Sequence, residues 1–230
     1  MGVWMFICFI FVLNQLPHNC YGATKSCDPI QGLAGCACRM SDTQKIIALR
    51  DLVKNDTQRR IPRFKTQDGI SWDFGYHPCN NFNMFDNITK PRPGHKKCVK
   101  VTAARYTSIS AHICDSLGNM ESGVFKYVVN PTFLSNYSGV SVTYRDASTN
   151  VGAVIYLVCN KGLSLSESRF NYLNVTEGVQ ETYYFSLESR CSCPGGCYVK
   201  IPKPSAASRL NSWTAYAFAS LVLVLYAVGK

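Results

Sequence analysis

Charge is scarce in this sequence. Of 230 residues, 17% are Asp, Glu, Lys or Arg, against 12% aromatic and 47% apolar. That balance excludes a disordered chain, which goes with much charge and few aromatics. Acidic groups are scarcer still, 14 against 24 basic ones, for a net +10. Histidine is rare, and His77, His95 and His112 stand in no metal-ligand spacing such as H-E-x-x-H. There is no G-x-S-x-G elbow, no P-loop and no dinucleotide fingerprint. No catalytic residue, metal ligand or cofactor is therefore assigned, and the expectation is a non-enzyme. No internal repeat is visible, which excludes solenoids and propellers.

The two ends have almost no charge at all. Val3 to Leu13 reads VWMFICFIFVL, too short to span a bilayer, which takes about 20 residues. It has the length of a signal-peptide core, without the usual basic leader, and small residues precede a cut after Gly22. Residues 1–22 are expected to be a signal peptide. Trp213 to Val228 is a second uncharged run, preceded by Ser205-Ala-Ala-Ser208 and a short polar spacer. That order is the signal for a glycosylphosphatidylinositol anchor attached at Ser205, or else a single membrane-spanning helix. The organisation expected is a β-domain over 23–199, a stalk over 200–212 and an apolar tail over 213–230.

Cysteine, by contrast, is abundant, with 12 in all. Cys8 and Cys20 fall in the signal segment. The other ten are Cys27, Cys36, Cys38, Cys79, Cys98, Cys114, Cys159, Cys191, Cys193 and Cys197. An even count suits five bridges in an oxidising compartment. A zinc knuckle at Cys191-Ser-Cys-Pro-Gly-Gly-Cys197 is disfavoured by that compartment. Sequons at Asn55, Asn87, Asn136 and Asn174 agree with it. The expected location is the secretory pathway, on the cell surface or in an endomembrane lumen, with membrane attachment through the tail.

Strand-like runs dominate the middle: Val99–Ser110, Gly123–Val129, Gly139–Tyr144, Ala153–Val158 and Thr182–Leu187. Turn residues punctuate them at Ser116–Asn119, Asn130-Pro131, Asp146–Gly152 and Asn160–Gly162. The fold class predicted is all-β, a disulfide-rich antiparallel sandwich or flattened barrel. One short N-terminal helix is also predicted, capped by Ser41-Asp42, with Ile46, Ile47, Leu49, Leu52 and Val53 on one face.

The order of these motifs resembles the mannose 6-phosphate receptor homology domain, a β-rich lectin module. The residues that carry the likeness are Asp51-Leu52, Tyr76-His-Pro-Cys79, Cys98 with Ala103-Ala104 and Cys114, Val140–Tyr144, Ala153–Cys159, and Glu181–Phe185 leading to Cys193. The likeness covers about residues 36–197. It implies bridges from Cys36 or Cys38 to Cys79, from Cys98 to Cys114, and from Cys159 to Cys193 or Cys191. Cys27–Cys36 and Cys191–Cys197 are then the expected extra pairs. A further family bridge would join the Asp146–Ser148 region to position 181, and here both of its cysteines are absent.

Family members that bind mannose use a Gln, an Arg, a Glu and a Tyr around the ring hydroxyls. Tyr183 matches the Tyr position and Glu177 the Glu. The Arg position falls where Asn150, Val151 and Gly152 stand, and no Gln lies between Cys79 and Cys159. The implied pocket is thus an altered one, in which ordinary mannose 6-phosphate binding is not expected. A second signal is a basic group, Arg92, Lys96, Lys97 and Lys100, with Arg59, Arg60, Arg63 and Lys65 as another. Such groups either bind sulfated glycans, phosphates or acidic lipids, or are simply solvated loops. The partners expected are glycans or glycoproteins, not nucleic acid. Two classes of function stay open: a lectin-like receptor, or a structural or adhesion protein that binds another protein and has lost sugar recognition.

Overall fold

The computed structural model describes residues 24–53, 59–65, 71–85, 93–107, 112–165, 167–178, 180–198 and 200–201. The signal segment, the apolar tail, Asn55, Asn87, Arg92 and Ser205 lie outside them, as do the side chains of the basic group at 59–65. Among these described residues fourteen strands follow in chain order. They are β1 (Cys27–Pro29), β2 (Ala37–Met40), β3 (Ile46–Ala48), β4 (Arg59–Lys65), β5 (Ser71–Tyr76), β6 (Phe82–Met84) and β7 (Cys98–Val101). Then come β8 (Ala103–Thr107), β9 (Ile113–Gly118), β10 (Val124–Val129), β11 (Ser138–Asp146), β12 (Val151–Cys159), β13 (Ser168–Thr176) and β14 (Glu181–Ser189).

The architecture is a β-sandwich of open sheets. A four-stranded sheet runs β4-β5-β8-β9, and a five-stranded sheet runs β10-β11-β12-β14-β13. Small sheets of β1-β2-β3 and β6-β7 flank them. Strand alternation explains which residues meet. On β14, Tyr183, Phe185 and Leu187 point inward and are almost wholly buried. On β5, Phe74 packs its ring 5.0 Å from Tyr183 and 5.1 Å from Phe185, joining the two sheets. Tyr76 meets Tyr144 at 5.8 Å and Phe170 at 5.2 Å. Aromatic pairs in such tilted geometry add to the area they bury.

One pairing breaks the antiparallel expectation. β12 and β14 run parallel, Val151 beside Glu181 through Cys159 beside Ser189. The chain leaves β12, forms the outer strand β13, and returns in a hairpin that inserts β14 between them. β13 therefore carries a polar, solvent-facing alternation, SRFNYLNVT, and Asn174 sits exposed on this edge. Among the described residues β13 is an outermost strand of its sheet.

The predicted N-terminal helix does not form. Ile46–Ala48 is strand β3, paired with β2, and Arg50–Val53 is one 3-10 turn. Ile47, Ala48 and Leu49 are buried consecutively, which a one-faced helix cannot achieve but a covered strand can. The expected turn at Ser116–Asn119 is also displaced, because β9 runs through to Gly118. The other predicted strand runs fall on β7, β8, β10, β11, β12 and β14.

Among the described residues five disulfides are present: Cys27–Cys38, Cys36–Cys79, Cys98–Cys114, Cys159–Cys193 and Cys191–Cys197. The expected Cys27–Cys36 pair is corrected to Cys27–Cys38. The antiparallel β1-β2 register brings those two Cα atoms to 5.3 Å, leaving Cys36 for Cys79 at 4.5 Å. Five bridges belong to an oxidising compartment.

The N-terminal layer is pressed onto the sandwich at two glycines. A Cβ on Gly123 would lie 2.4 Å from the Gly35 Cα and 3.0 Å from the Tyr144 ring. Gly35 itself has φ +65 and holds its carbonyl to the Tyr144 hydroxyl at 2.7 Å. Gly123→Ala is expected to cost about 2 kcal/mol, because backbone rather than a movable side chain must give way. Thermal unfolding checks this, with a Tm lower by roughly 4–8 °C expected. An unchanged Tm would mean that the two backbones do not touch.

Candidate functional site

The most concentrated chemistry lies where β8, β9 and the start of β14 meet. Antiparallel register sets Arg105 on β8 directly opposite Asp115 on β9, and opposite Phe74 on β5. Glu181 and Tyr183, two apart on β14, share one face. The Arg105 Nε donates to Asp115 Oδ2 at 3.0 Å, and its Nη1 donates to Glu181 Oε1 at 2.7 Å and to the Tyr183 hydroxyl. Tyr183 in turn donates to Glu181 Oε1. The guanidinium lies 4.5 Å from the Trp72 ring centre and 5.4 Å from that of Tyr183. Such stacking adds to the ion pairs, most where water is excluded.

Burial makes these contacts strong. The Arg105 and Asp115 side chains are each 14% exposed and that of Glu181 29%, so Glu181 forms the wet rim of the cluster. Burial works against the charge on Arg105, but Tyr183, Glu181 and Asp115 outweigh it and raise its pKa. Burial and the Glu181 hydrogen bond push the Tyr183 phenol far up, against the opposing pull of Arg105. The phenol therefore stays protonated and relays a hydrogen bond from arginine to carboxylate. The Trp72 Nε1 is buried and has no hydrogen-bond partner among the described residues. Arrangements that combine a carboxylate, a guanidinium and an aromatic face can hold adjacent hydroxyls, which donate to the first and accept from the second.

Beside this cluster opens a cleft of about 550 Å³. Lys96, Lys97, Lys100 and Arg145 line it, with Asp146 as the one carboxylate among the described lining residues. Lys96 Nζ lies 2.5 Å from Asp115 Oδ1, so Asp115 is shared between cleft and cluster. Arg145 donates to Gln180 Oε1, one residue before Glu181. Val151 stands beside Glu181 in the parallel pairing of β12 and β14.

No family model and no curated protein matches the chain. The functional reading therefore stands on these residues themselves.

The residues singled out from sequence fare differently. Tyr183 is at the centre of the cluster but 0% exposed, so it positions Arg105 and Glu181 rather than facing solvent. Glu177 is exposed, beyond the end of β13, and acts on Tyr172, whose pKa burial and then Glu177 raise. No contact between Glu177 and the Arg105 cluster is found among the described residues, and the carboxylate of the cluster is Glu181. Lys96, Lys97 and Lys100 do come together, on the cleft. Asn136 and Asn174 are both exposed. Sequence reasoning missed Trp72, Asp115 and the partnership of Arg105 with Glu181. The available signal was the pattern Glu181-x-Tyr183, which on a strand puts a carboxylate and a phenol on one face.

Proposed function

We propose that this chain is a membrane-displayed glycoprotein of the secretory pathway whose β-domain is a lectin-like receptor for glycans or glycoproteins. The observation that carries the reading is the Arg105–Glu181–Tyr183 cluster stacked on Trp72. It offers a fixed acceptor and a fixed donor at a partly open rim, which is what a pair of ring hydroxyls requires. Two sheets and a neutral phenol hold both groups in place, so little ordering is left for the ligand to supply. The set differs from the one the family resemblance implies, since its arginine comes from β8 and its carboxylate from position 181. Ordinary mannose 6-phosphate recognition is accordingly not the activity proposed. The attachment to a membrane rests on the Trp213–Val228 run and the small residues from Ser205.

A glycan array probed with the full chain, purified in detergent, tests the reading. Binding is expected, with at least a tenfold loss in Glu181→Gln, which removes the charge but preserves shape; Glu177→Ala should retain binding. That loss corresponds to about 1.4 kcal/mol, within the range of a hydrogen bond to a charged group. A flat array, together with capture of a protein ligand insensitive to Glu181→Gln, would instead establish the adhesion alternative.

A further inference from the structure

We infer that the cleft beside the Arg105 cluster is a subsite for a sulfated glycan chain. The inference deepens the glycan-binding reading and rests on it, but it uses a different set of side chains.

Charge is the first argument. Four cations line the cleft, and they come from separate segments: Lys96 and Lys97 before β7, Lys100 within it, and Arg145 at the end of β11. Lys96 is paired with Asp115 at 2.5 Å, and Asp146 is the carboxylate among the described lining residues. Asp146 itself makes its hydrogen bonds elsewhere. Asp146 Oδ1 accepts from the Ser148 hydroxyl at 2.5 Å and the Ser148 amide at 2.8 Å. Burial raises its pKa, but these bonds and those from Ser116 and the Thr149 amide outweigh it and hold Asp146 ionised. Its oxygens are spent on the β11–β12 turn.

Construction is the second argument. Cys98 and Cys114 both line the cleft, and their bridge ties the lysine-bearing strand to β9. Lys100 stands at φ 54, a conformation that lysine rarely adopts, and its amide donates to Asn83 Oδ1 at 2.8 Å. Backbone strain of this kind persists where the surroundings impose it. Here the bridge and Asn83 impose it on a residue whose ammonium belongs to the cleft.

The spread of the cations selects the ligand. A lone phosphate monoester concentrates its charge and its three acceptor oxygens at one point. Several exposed cations on different segments instead fit repeated monoanionic esters along a chain. Each contact is weak and screened by salt, so affinity comes from their number. Sulfate esters stay ionised at every physiological pH, which suits cations that need no proton to bind.

The test is retention of the full chain on immobilised heparin, with desulfated heparin as the comparison. Retention is expected on the first alone, weakening as salt rises. Lys97→Ala with Lys100→Ala should weaken affinity about tenfold, and Arg145→Ala should weaken it further. Lys126→Ala with Lys161→Ala removes the same charge from exposed positions outside the cleft and should change nothing. An equal loss in both double variants would overturn the subsite in favour of net charge. Equal elution by mannose 6-phosphate and by a sulfated disaccharide would overturn the choice of sulfate. The two readings fail separately. Loss of heparin binding with an intact, Glu181-dependent array signal sinks only the subsite. A flat neutral-glycan array with cleft-dependent heparin retention sinks only the hydroxyl site.

Discussion

Arg105→Met is expected to be among the most damaging single substitutions in the domain. The methionine keeps most of the volume on Trp72 but leaves the Asp115 and Glu181 carboxylates facing each other without their shared cation. Removing one partner of a buried ion pair costs about 3–5 kcal/mol, because the remaining charge is uncompensated. Tm should fall by roughly 10 °C. The physical cause can be separated from lost packing by adding Asp115→Asn and Glu181→Gln. With the carboxylates neutralised, most of the lost stability should return, while glycan binding stays absent. Arg105→Lys should fall between, since an ammonium keeps the charge but not the planar fork that serves Asp115 and Glu181 at once. A triple variant as unstable as Arg105→Met would show that the stacking on Trp72, not the charge balance, dominates.

This cluster also shows what sequence could and could not reveal. Strands such as Thr182–Leu187 were legible because aromatic and branched side chains crowd them, although this strand is covered on both faces. β13 was not, since an edge strand bathed in solvent on one side carries Asn, Ser and Arg that read as loop. The segment from Ile46 to Val53 was misread because its apolar spacing satisfies a helical face as well as a strand followed by a 3-10 turn. The covering layer that decides between them lies elsewhere in the chain. Tyr183 was singled out as a sugar ligand from its place in a resembled order, but the structure buries it, and its carboxylate partner was not foreseen. Glu181 gained its role from Arg105, 76 residues away, through a register that no local pattern encodes.

The second large effect is expected at Cys98–Cys114. The bridge closes a loop with a sequence separation of 16, which in the chain-entropy account contributes about 3 kcal/mol. Both cysteines are buried in a small core of their own with Val101, Ala104 and Tyr106, apart from the main sandwich core. Cys98→Ala with Cys114→Ala should therefore lower Tm by roughly 6–12 °C while the sandwich core persists. Function should separate along the same line. Lys97 and Lys100 flank Cys98 in sequence, so heparin retention should fall with the bridge even at temperatures where the variant is fully folded. The Arg105 cluster is braced by β5 and β14 as well, and the glycan binding proposed for it should survive under those conditions. Equal loss of both activities well below the unfolding transition would mean that cleft and cluster form one indivisible site, joined through Asp115. Loss of heparin retention alone would mark the bridge as the scaffold of the basic strand.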